Sequence, residues 1–178
     1  ENTLKSANNL KYIGLFATGY NNIDIEYCSK HGITVCNAGS YSTNAVAQHT
    51  FALILEHFNN TANYNQYVQD GLWKRSKTFS PFVYPLSELA GKTIGIVGFG
   101  NIGKAVAKIA NAFEMNVIAY NRSEKSAENV KFVSLEELIE SSDIVTVHCP
   151  LNAQSENMFN KETFAKMKHG ALFVNTAR

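Results

Sequence analysis

The hydrophobic residues follow two different rhythms, and the change between them comes near Lys92. Earlier in the chain, two short apolar runs at 11–16 and 33–36 flank a segment that starts at Asp24, a good helix N-cap, and stops at Gly32. Strand, helix and strand in so short a stretch predict a βαβ unit with a parallel strand pair.

A long helix is predicted next. Apolar residues recur at helical spacing from Ser42 onward, and we expect the helix to continue toward Asp70 and Gly71. The following residues, 73–89, contain two Pro and many aromatics without a clear period. They predict an extended surface segment that packs against another surface, such as a partner subunit, rather than a platform on which nucleic-acid bases stack.

After Lys92, short apolar runs alternate regularly with amphipathic segments. Strands are predicted at 93–97, 116–120, 130–133, 143–148 and 171–174, and helices at 101–113, 135–140 and 161–168. Ser134 and Glu137 have the spacing of a capping box. Because the strands are nearly all apolar, the pattern predicts an α/β fold with a doubly wound parallel sheet of the Rossmann type, covered on both faces.

Composition narrows the class of protein. The chain is 45% hydrophobic, its net charge is +1 and its basic residues are scattered, which argues against nucleic-acid binding. No apolar run approaches the roughly 20 residues of a membrane span. Cys28, Cys36 and Cys149 form no CxxC pair, and no His lies at ligand spacing from a Cys pair, so we expect a reduced cytoplasmic protein without structural zinc.

The sequence GFGNIG at 98–103 directly follows the strand TIGIV and opens a helix. This is the context in which GxGxxG binds a dinucleotide. Gly98 permits the tight turn, Gly100 lets the backbone approach a pyrophosphate, and Gly103 lets helix and strand pack closely. Asn101 and Ile102 begin the helix, whose N-terminal N–H groups attract anions. The alternative is a glycine-rich turn with a purely structural role.

The next strand ends in Asn121, Arg122 and Ser123, where an Asp or Glu normally accepts from the adenosine 2′-hydroxyl, and the first acid comes only at Glu124. An Arg instead offers a bidentate fork to a 2′-phosphate, and the Asn and Ser add neutral donors. NADP is therefore favoured over NAD. The alternative is that Arg122 is a solvated loop residue and that NAD binds through Asn121.

Five stretches, in order along nearly the whole chain, resemble the D-2-hydroxyacid dehydrogenase family. They are ATGYNNID, ITVCNAGSYSTNAVAQHTFALIL, ELAGKTIGIVGFGNIGKAVA, SSDIVTVHCPL and ALFVNTAR. The segments AVAQHT and LEHFN look most like those of the glycerate dehydrogenase, or hydroxypyruvate reductase, branch. The resemblance implies that residues 1–41 end the first half of a flavodoxin-like substrate domain. Residues 42–178 would then form the NAD(P)-binding domain with its linking helix, truncated at the C-terminal end.

Residue by residue, the resemblance implies that Thr18 and Gly19 present backbone N–H groups to a substrate carboxylate. It makes Arg178 the catalytic guanidinium that grips the carboxylate and polarises the ketone, although by spacing alone Arg178 would be an ordinary surface residue. It also implies further residues that line the cofactor: Cys149, Pro150, Ser155, Asn175, Thr176 and Ala177.

The family's general acid His and its Glu partner come after the position of Arg178, so the chain is interpreted as a fragment that is inactive alone. His49 is expected to be a packed core or domain-interface residue, and His148 to shape the loop beneath the cofactor. The resemblance implies an oxidoreductase, a homodimer when intact, that interconverts a small 2-oxoacid and a D-2-hydroxyacid, such as hydroxypyruvate or glyoxylate reduction. The alternative is a dinucleotide-sensing, corepressor-like binding protein of the same fold.

Overall fold

The computed structural model describes residues 2–123 and 125–177. The chain divides into two compact units, Glu1–Asn44 and Ala45–Arg178. The boundary between the two units lies within the first turn of a helix and therefore does not coincide with a loop. Among the described residues, no helix combines the length and the apolar character needed to cross a membrane.

The first unit contains a parallel βαβ element. Its elements are α1 (Asn2–Lys5), β1 (Tyr12–Leu15), α2 (Ile25–Lys30) and β2 (Thr34–Asn37). Helix α2 starts where the Asp24 carboxylate accepts a hydrogen bond from the Tyr27 N–H at 2.8 Å, and it stops at Gly32, whose φ of +67° is left-handed. Strands β1 and β2 pair in parallel, with Tyr12 opposite Thr34, as the sequence predicts.

The second unit opens with two helices, α3 (Thr43–Asn59) and α4 (Thr61–Gln69), so the prediction of one continuous helix is wrong. Asn60 separates them with a left-handed φ of +50°. Its side-chain amide donates to the Pro85 carbonyl at 2.8 Å, which ties the break to the following segment. Asn tolerates this conformation better than other non-glycine residues, because its short polar side chain bonds locally.

A five-stranded, fully parallel sheet forms the rest of this unit, in the order β5-β4-β3-β6-β7. The strands are β3 (Thr93–Val97), β4 (Asn116–Tyr120), β5 (Lys131–Phe132), β6 (Ile144–Val147) and β7 (Leu172–Asn175). The helices between them are α5 (Asn101–Ala112), α6 (Leu135–Ser141) and α7 (Lys161–Ala165). The chain therefore forms the predicted Rossmann-type sheet.

Alternate residues of the strands pack on opposite faces. Ile94 and Ile96 join the core formed with α3 and α5, whereas Val97 joins the second core, against α6. Between them, Gly95 lets α6 approach the sheet, because a Cβ there would lie 2.3 Å from Ser142 Oγ. Both faces are covered, which explains the nearly continuous apolar strands.

The capping box predicted for α6 forms only in part. Ser134 Oγ accepts from the Glu137 N–H at 3.1 Å, as expected. The Glu137 carboxylate, however, accepts from Lys131 at 2.8 Å instead of reaching back to the Ser134 N–H. A nearby cation on β5 thus replaces the reciprocal half of the motif.

Candidate cofactor-binding site

A cleft of about 510 Å³ opens at the carboxyl ends of β3, β4 and β6. Ligands of open α/β sheets bind at this edge, beside the point where the strand order reverses. Of the predicted cofactor-binding residues, eight line the cleft: Gly98, Gly100, Asn121, Arg122, Ser123, Cys149, Pro150 and Ser155. The structure thus brings together three chain segments that are separated by more than twenty residues each.

The three glycines of the turn differ in how closely other protein atoms approach them. Gly98 has a φ of +96°, and a Cβ there would lie 2.6 Å from the Cys149 backbone N. At Gly103 a Cβ would lie 2.3 Å from the Gly98 carbonyl oxygen. At Gly100, by contrast, a Cβ would meet no protein atom within 4 Å. Packing requires the first and third glycines, whereas the second leaves backbone exposed to the cleft, which fits a pyrophosphate at close range.

Helix α5 begins at this turn with an uncapped N-terminus. Its N-cap residue is Gly100, and no side chain caps the first turn. Asn101, Ile102 and Gly103 form that turn, and none of the three lines the cleft. They can contribute backbone N–H groups and the positive end of the helix dipole, both of which suit an anionic phosphate.

Asn121 connects the glycine turn to the loop after β4. Its Oδ1 accepts from the Phe99 N–H at 3.0 Å, and its Nδ2 donates to the carbonyl and the hydroxyl of Ser123 at 2.9 and 3.0 Å. Both the oxygen and the nitrogen of the amide therefore have hydrogen-bond partners within the protein. Its role in this geometry is to hold Ser123 and the turn together.

Arg122 lies across the cleft from the loop after β6. Its guanidinium donates to Gln154 Oε1 at 2.6 Å, over 32 residues of sequence. Lys125 also lines the cleft. Neither Gln154 nor Lys125 is among the site residues predicted from the sequence. Lys125 directly follows an acid, Glu124, so no basic run in the sequence marked it, and Gln154 is recognisable only from the contact itself.

The loop after β6 is organised by its own polar side chains. Asn152 Oδ1 accepts from the N–H groups of Gln154 and Ser155 at 2.9 and 3.1 Å. Ser155 Oγ donates to the Pro150 carbonyl at 2.6 Å and accepts from the Asn152 N–H at 2.9 Å. These bonds fold the loop into a compact turn beside the cleft.

His148 and Cys149 join this loop to strand β6. Burial lowers the pKa of His148 to about 4, so its imidazole is neutral at pH 7. Its Nε2 lies 3.0 Å from Thr146 Oγ1. Burial likewise raises the pKa of the Cys149 thiol above its ordinary value. Neither side chain carries charge in the cleft near neutral pH. In the described residues, no three His, Cys, Asp or Glu side chains are arranged to hold a metal ion.

The remaining predicted residues lie elsewhere. Thr18 and Gly19 belong to the first unit, where Asn37 Nδ2 donates to the Thr18 carbonyl at 2.6 Å. Within the described part of the chain, neither residue's backbone N–H donates to a backbone carbonyl. His49 is exposed on α3, so the expectation of a core histidine is wrong; its position at a domain interface stays a prediction.

Residues Asn175, Thr176 and Ala177 leave the end of β7 and do not line the cleft. The Ala177 N–H donates to Asn175 Oδ1 at 2.9 Å. Thr176 Oγ1 lies 3.2 Å from the hydroxyl of Thr50, a fully buried residue of α3. This contact anchors the loop on the helix. The predicted catalytic residue, Arg178, lies outside the described residues.

Comparison with known proteins identifies the fold's family. Residues 51–178 match the model of the D-isomer specific 2-hydroxyacid dehydrogenase, NAD binding domain. The chain is 41% identical to a hydroxypyruvate reductase of Blautia hydrogenotrophica over 96% of its own length and 54% of that protein. It is 38% identical to a glycerate dehydrogenase of Methylorubrum extorquens, over 99% and 55%. The chain thus spans about half the length of the curated relatives it matches.

Solved structures agree with the sequence relatives. A D-lactate dehydrogenase from Aquifex aeolicus, complexed with NAD and lactic acid, superposes with a TM-score of 0.89 at 33% identity, over 100% of this chain and 53% of that one. An acyclic imino acid reductase in complex with NADPH and D-Arg gives 0.83 at 37% identity, over 95% and 53%.

The chain belongs to the D-isomer specific 2-hydroxyacid dehydrogenase family and contains its NAD-binding domain. The predicted family, with its glycerate dehydrogenase and hydroxypyruvate reductase branch, is confirmed. The relatives named above are reductases and dehydrogenases, so they give the corepressor alternative no support.

Proposed function

We propose that the intact protein is a D-2-hydroxyacid dehydrogenase that reduces a small 2-oxoacid, such as hydroxypyruvate or glyoxylate, with NADPH. The observation that carries the proposal is the cleft at the carboxyl edge of the sheet. There an uncapped helix N-terminus and the open Gly100 backbone face a loop bearing Arg122. The helix N-terminus and the Gly100 backbone suit the phosphates of a dinucleotide, and Arg122 suits one additional phosphate.

The preference for NADP rests on the charge of the lining. The described lining residues include two cations, Arg122 and Lys125, and no Asp or Glu. A carboxylate at this position would accept from a free 2′-hydroxyl and repel a 2′-phosphate. Asn121 is committed to Phe99 and Ser123, which weakens the alternative in which it recognises NAD.

At the substrate end of the site, residues 1–41 would be part of a substrate domain. Thr18 and Gly19 would offer their N–H groups to the substrate carboxylate, and Arg178 would bind the carboxylate and polarise the ketone. When bound, the reduced cofactor supplies the hydride that adds to the keto carbon. The chain's own residues would orient the 2-oxoacid and keep it close to the cofactor, which lowers the entropic part of the barrier.

The test is steady-state kinetics of the intact protein with hydroxypyruvate, glyoxylate and pyruvate, each against NADPH and NADH. We expect hydroxypyruvate or glyoxylate with NADPH to give the highest kcat/KM. Arg178→Lys should lower kcat/KM by roughly 30- to 1,000-fold, because an ammonium cannot hold carboxylate and carbonyl in one planar fork. Near-normal turnover of that variant would remove Arg178 from the site, and a preference for NADH would reject the cofactor assignment.

We also propose that the intact protein is a cytoplasmic homodimer and that the aromatic segment, residues 73–89, contributes to the interface. Phe79 and Phe82 are 94% and 77% exposed. They border an apolar groove of about 480 Å³ whose other residues include Trp73 and Tyr64. Exposed apolar patches of this kind mark association surfaces. Sedimentation of the wild type and of Phe79→Ser/Phe82→Ser tests it: a dimer that persists in the double variant contradicts the assignment.

A further inference from the structure

The Arg122–Gln154 hydrogen bond is the one described side-chain contact that joins the loop after β4 to the loop after β6. Both residues are exposed and both line the cleft. An exposed Arg without a partner samples many rotamers, and fixing it on a ligand costs up to about 2 kcal/mol of side-chain entropy. A partner that fixes the guanidinium beforehand removes part of that cost from binding.

Gln154 is suited to this task because its own backbone is held. Its N–H donates to Asn152 Oδ1 at 2.9 Å, and the next residue, Ser155, is bonded to the same oxygen and to the Pro150 carbonyl. The turn that carries Gln154 is therefore ordered by contacts that do not involve Arg122. This makes the loop after β6 the anchor and Arg122 the residue that is positioned.

The partner is also neutral. One guanidinium N–H donates to the amide oxygen, and because this acceptor is uncharged the bond leaves the positive charge of Arg122 in place. A carboxylate at position 154 would instead neutralise Arg122 and add a negative charge beside the cleft. With Lys125 as the second cation of the lining, the described site keeps its charge for an anionic ligand.

We propose that Gln154 is a specificity-determining positioning residue. It holds the Arg122 guanidinium, without neutralising it, where a phosphate monoester on the adenosine ribose binds. The inference rests on the proposed use of NADP. It adds that the choice between the two cofactors depends on a residue outside the loop after β4.

The experiment measures binding to the intact protein by calorimetry with two probes that differ only in one phosphate, adenosine 2′,5′-bisphosphate and 5′-AMP. The variants are Gln154→Glu, Gln154→Met, Arg122→Ala and the Arg122→Ala/Gln154→Met double variant. Gln69→Glu, at an exposed position of α4 away from the cleft, is the matched control for added charge. Circular dichroism verifies that every variant is folded.

We expect the wild type to prefer the bisphosphate. Gln154→Glu should reduce that preference by roughly 10- to 100-fold, and Gln154→Met by roughly 3- to 10-fold, with 5′-AMP affinity nearly unchanged. In the Arg122→Ala background, Gln154→Met should have no further effect, because the two residues act as one unit. In steady-state kinetics, the KM for NADPH should rise in parallel with the loss of preference for the bisphosphate, and kcat should stay unaltered.

Two results overturn the inference while leaving the cofactor assignment intact: an unchanged preference in both Gln154 variants, or a Gln154→Met effect that persists without Arg122. A wild type that binds both probes equally rejects the proposed use of NADP itself, and the inference with it. Gln69→Glu serves to attribute the effect: a matching loss there would assign it to general electrostatics and also overturn the role of Gln154.

Discussion

The glycine turn and the two loops opposite it border the same cleft, yet they are held by different forces. In the turn, backbone atoms exclude one another: Gly98 lies against the Cys149 backbone and Gly103 against the Gly98 carbonyl. In the loops, polar side chains form the hydrogen bonds: Arg122 donates to the side chain of Gln154, and Ser155 Oγ donates to the Pro150 carbonyl.

The difference separates general nucleotide binding from cofactor choice. Steric constraints at Gly98 and Gly103 admit almost no other residue, because a side chain at either position would move the sheet or the helix. Polar contacts in the loops are each worth about 1 kcal/mol and can be exchanged without unfolding the domain. Mutation should therefore affect the two properties separately: stability should fall at Gly98 and Gly103, and cofactor preference should change in the loops.

Gly98→Ala should have the largest effect. The methyl group would meet the Cys149 backbone N at 2.6 Å, and Ala disfavours a φ of +96°. Left-handed strain and overpacking together cost about 2 to 5 kcal/mol, so the variant should unfold at much lower denaturant concentration or fail to fold. Urea unfolding followed by circular dichroism measures the loss.

Gly100→Ala is its matched control. Its Cβ would contact no protein atom, so the midpoint of unfolding should stay within the range of a surface substitution while nucleotide affinity falls. A strongly destabilised Gly100→Ala, or a Gly98→Ala as stable as wild type, would contradict the division between packing and ligand space.

The next largest effect is a pH dependence of folding stability that comes from His148. The pKa of His148 is about 4 in the folded chain, whereas it is about 6.5 when unfolded. Between these values the unfolded state binds more protons, so stability is full above pH 6.5, declines as the pH falls, and levels off below about 4. The corresponding loss is about 3 kcal/mol.

Denaturant unfolding at pH 7.5 and at pH 4.5 measures this loss in the wild type and in His148→Gln. The variant should have the smaller difference between the two pH values. His169→Gln, at an exposed position outside the cleft, is the control and should behave as the wild type does. Equal pH differences in all three proteins would exclude His148 as the source.

The difference between local constraints and long-range polar contacts also explains which features could be predicted from the sequence. Apolar strands, glycines and helix caps act over a few residues, and the sheet, its strands and the turn at 98–103 follow from them. The break at Asn60 was missed because it depends on a hydrogen bond to Pro85, 25 residues away. Helix α4 after it has no buried residue, so no hydrophobic pattern marked the point where one helix ends and the next begins.

The candidate site follows the same rule. Eight of the cofactor-binding residues predicted from local patterns or from the family resemblance line the cleft where the strands end. Gln154 was missed because its role depends on a contact with Arg122 across the cleft, and no local pattern distinguishes it from a solvated glutamine. Long-range polar pairing between exposed loops is the feature that a single sequence does not contain.

Asn121→Ala tests the bond that connects the two regions. It removes the acceptor of the Phe99 N–H and leaves a partly buried donor unsatisfied, which costs about 1 to 2 kcal/mol. Asn121→Asp keeps an acceptor, so it should regain most of the stability while weakening adenosine 2′,5′-bisphosphate binding through its charge. Thermal unfolding and calorimetry follow the two properties. Equal stability of the Ala and Asp variants would show that the Phe99 bond is not what matters.

Ser155→Ala should have the smallest effect, because it removes one exposed hydroxyl from a loop with other supports. Lost are the bonds to the Pro150 carbonyl and from the Asn152 N–H, together worth about 1 kcal/mol or less at this exposure. Asn152 Oδ1 still accepts from two backbone N–H groups, so Gln154 keeps its place and the preference between the two probes should change less than about threefold.

Asn152→Ala is the contrasting variant, since it removes the acceptor that holds Gln154. It should reduce the preference for the bisphosphate more than Ser155→Ala does, although both changes lie in the same turn. Calorimetry with both probes and thermal unfolding decide the matter. If Ser155→Ala lowers affinity for both probes tenfold without changing stability, the hydroxyl contacts the nucleotide directly, and the polar loops then bind the cofactor with the same residues that shape them.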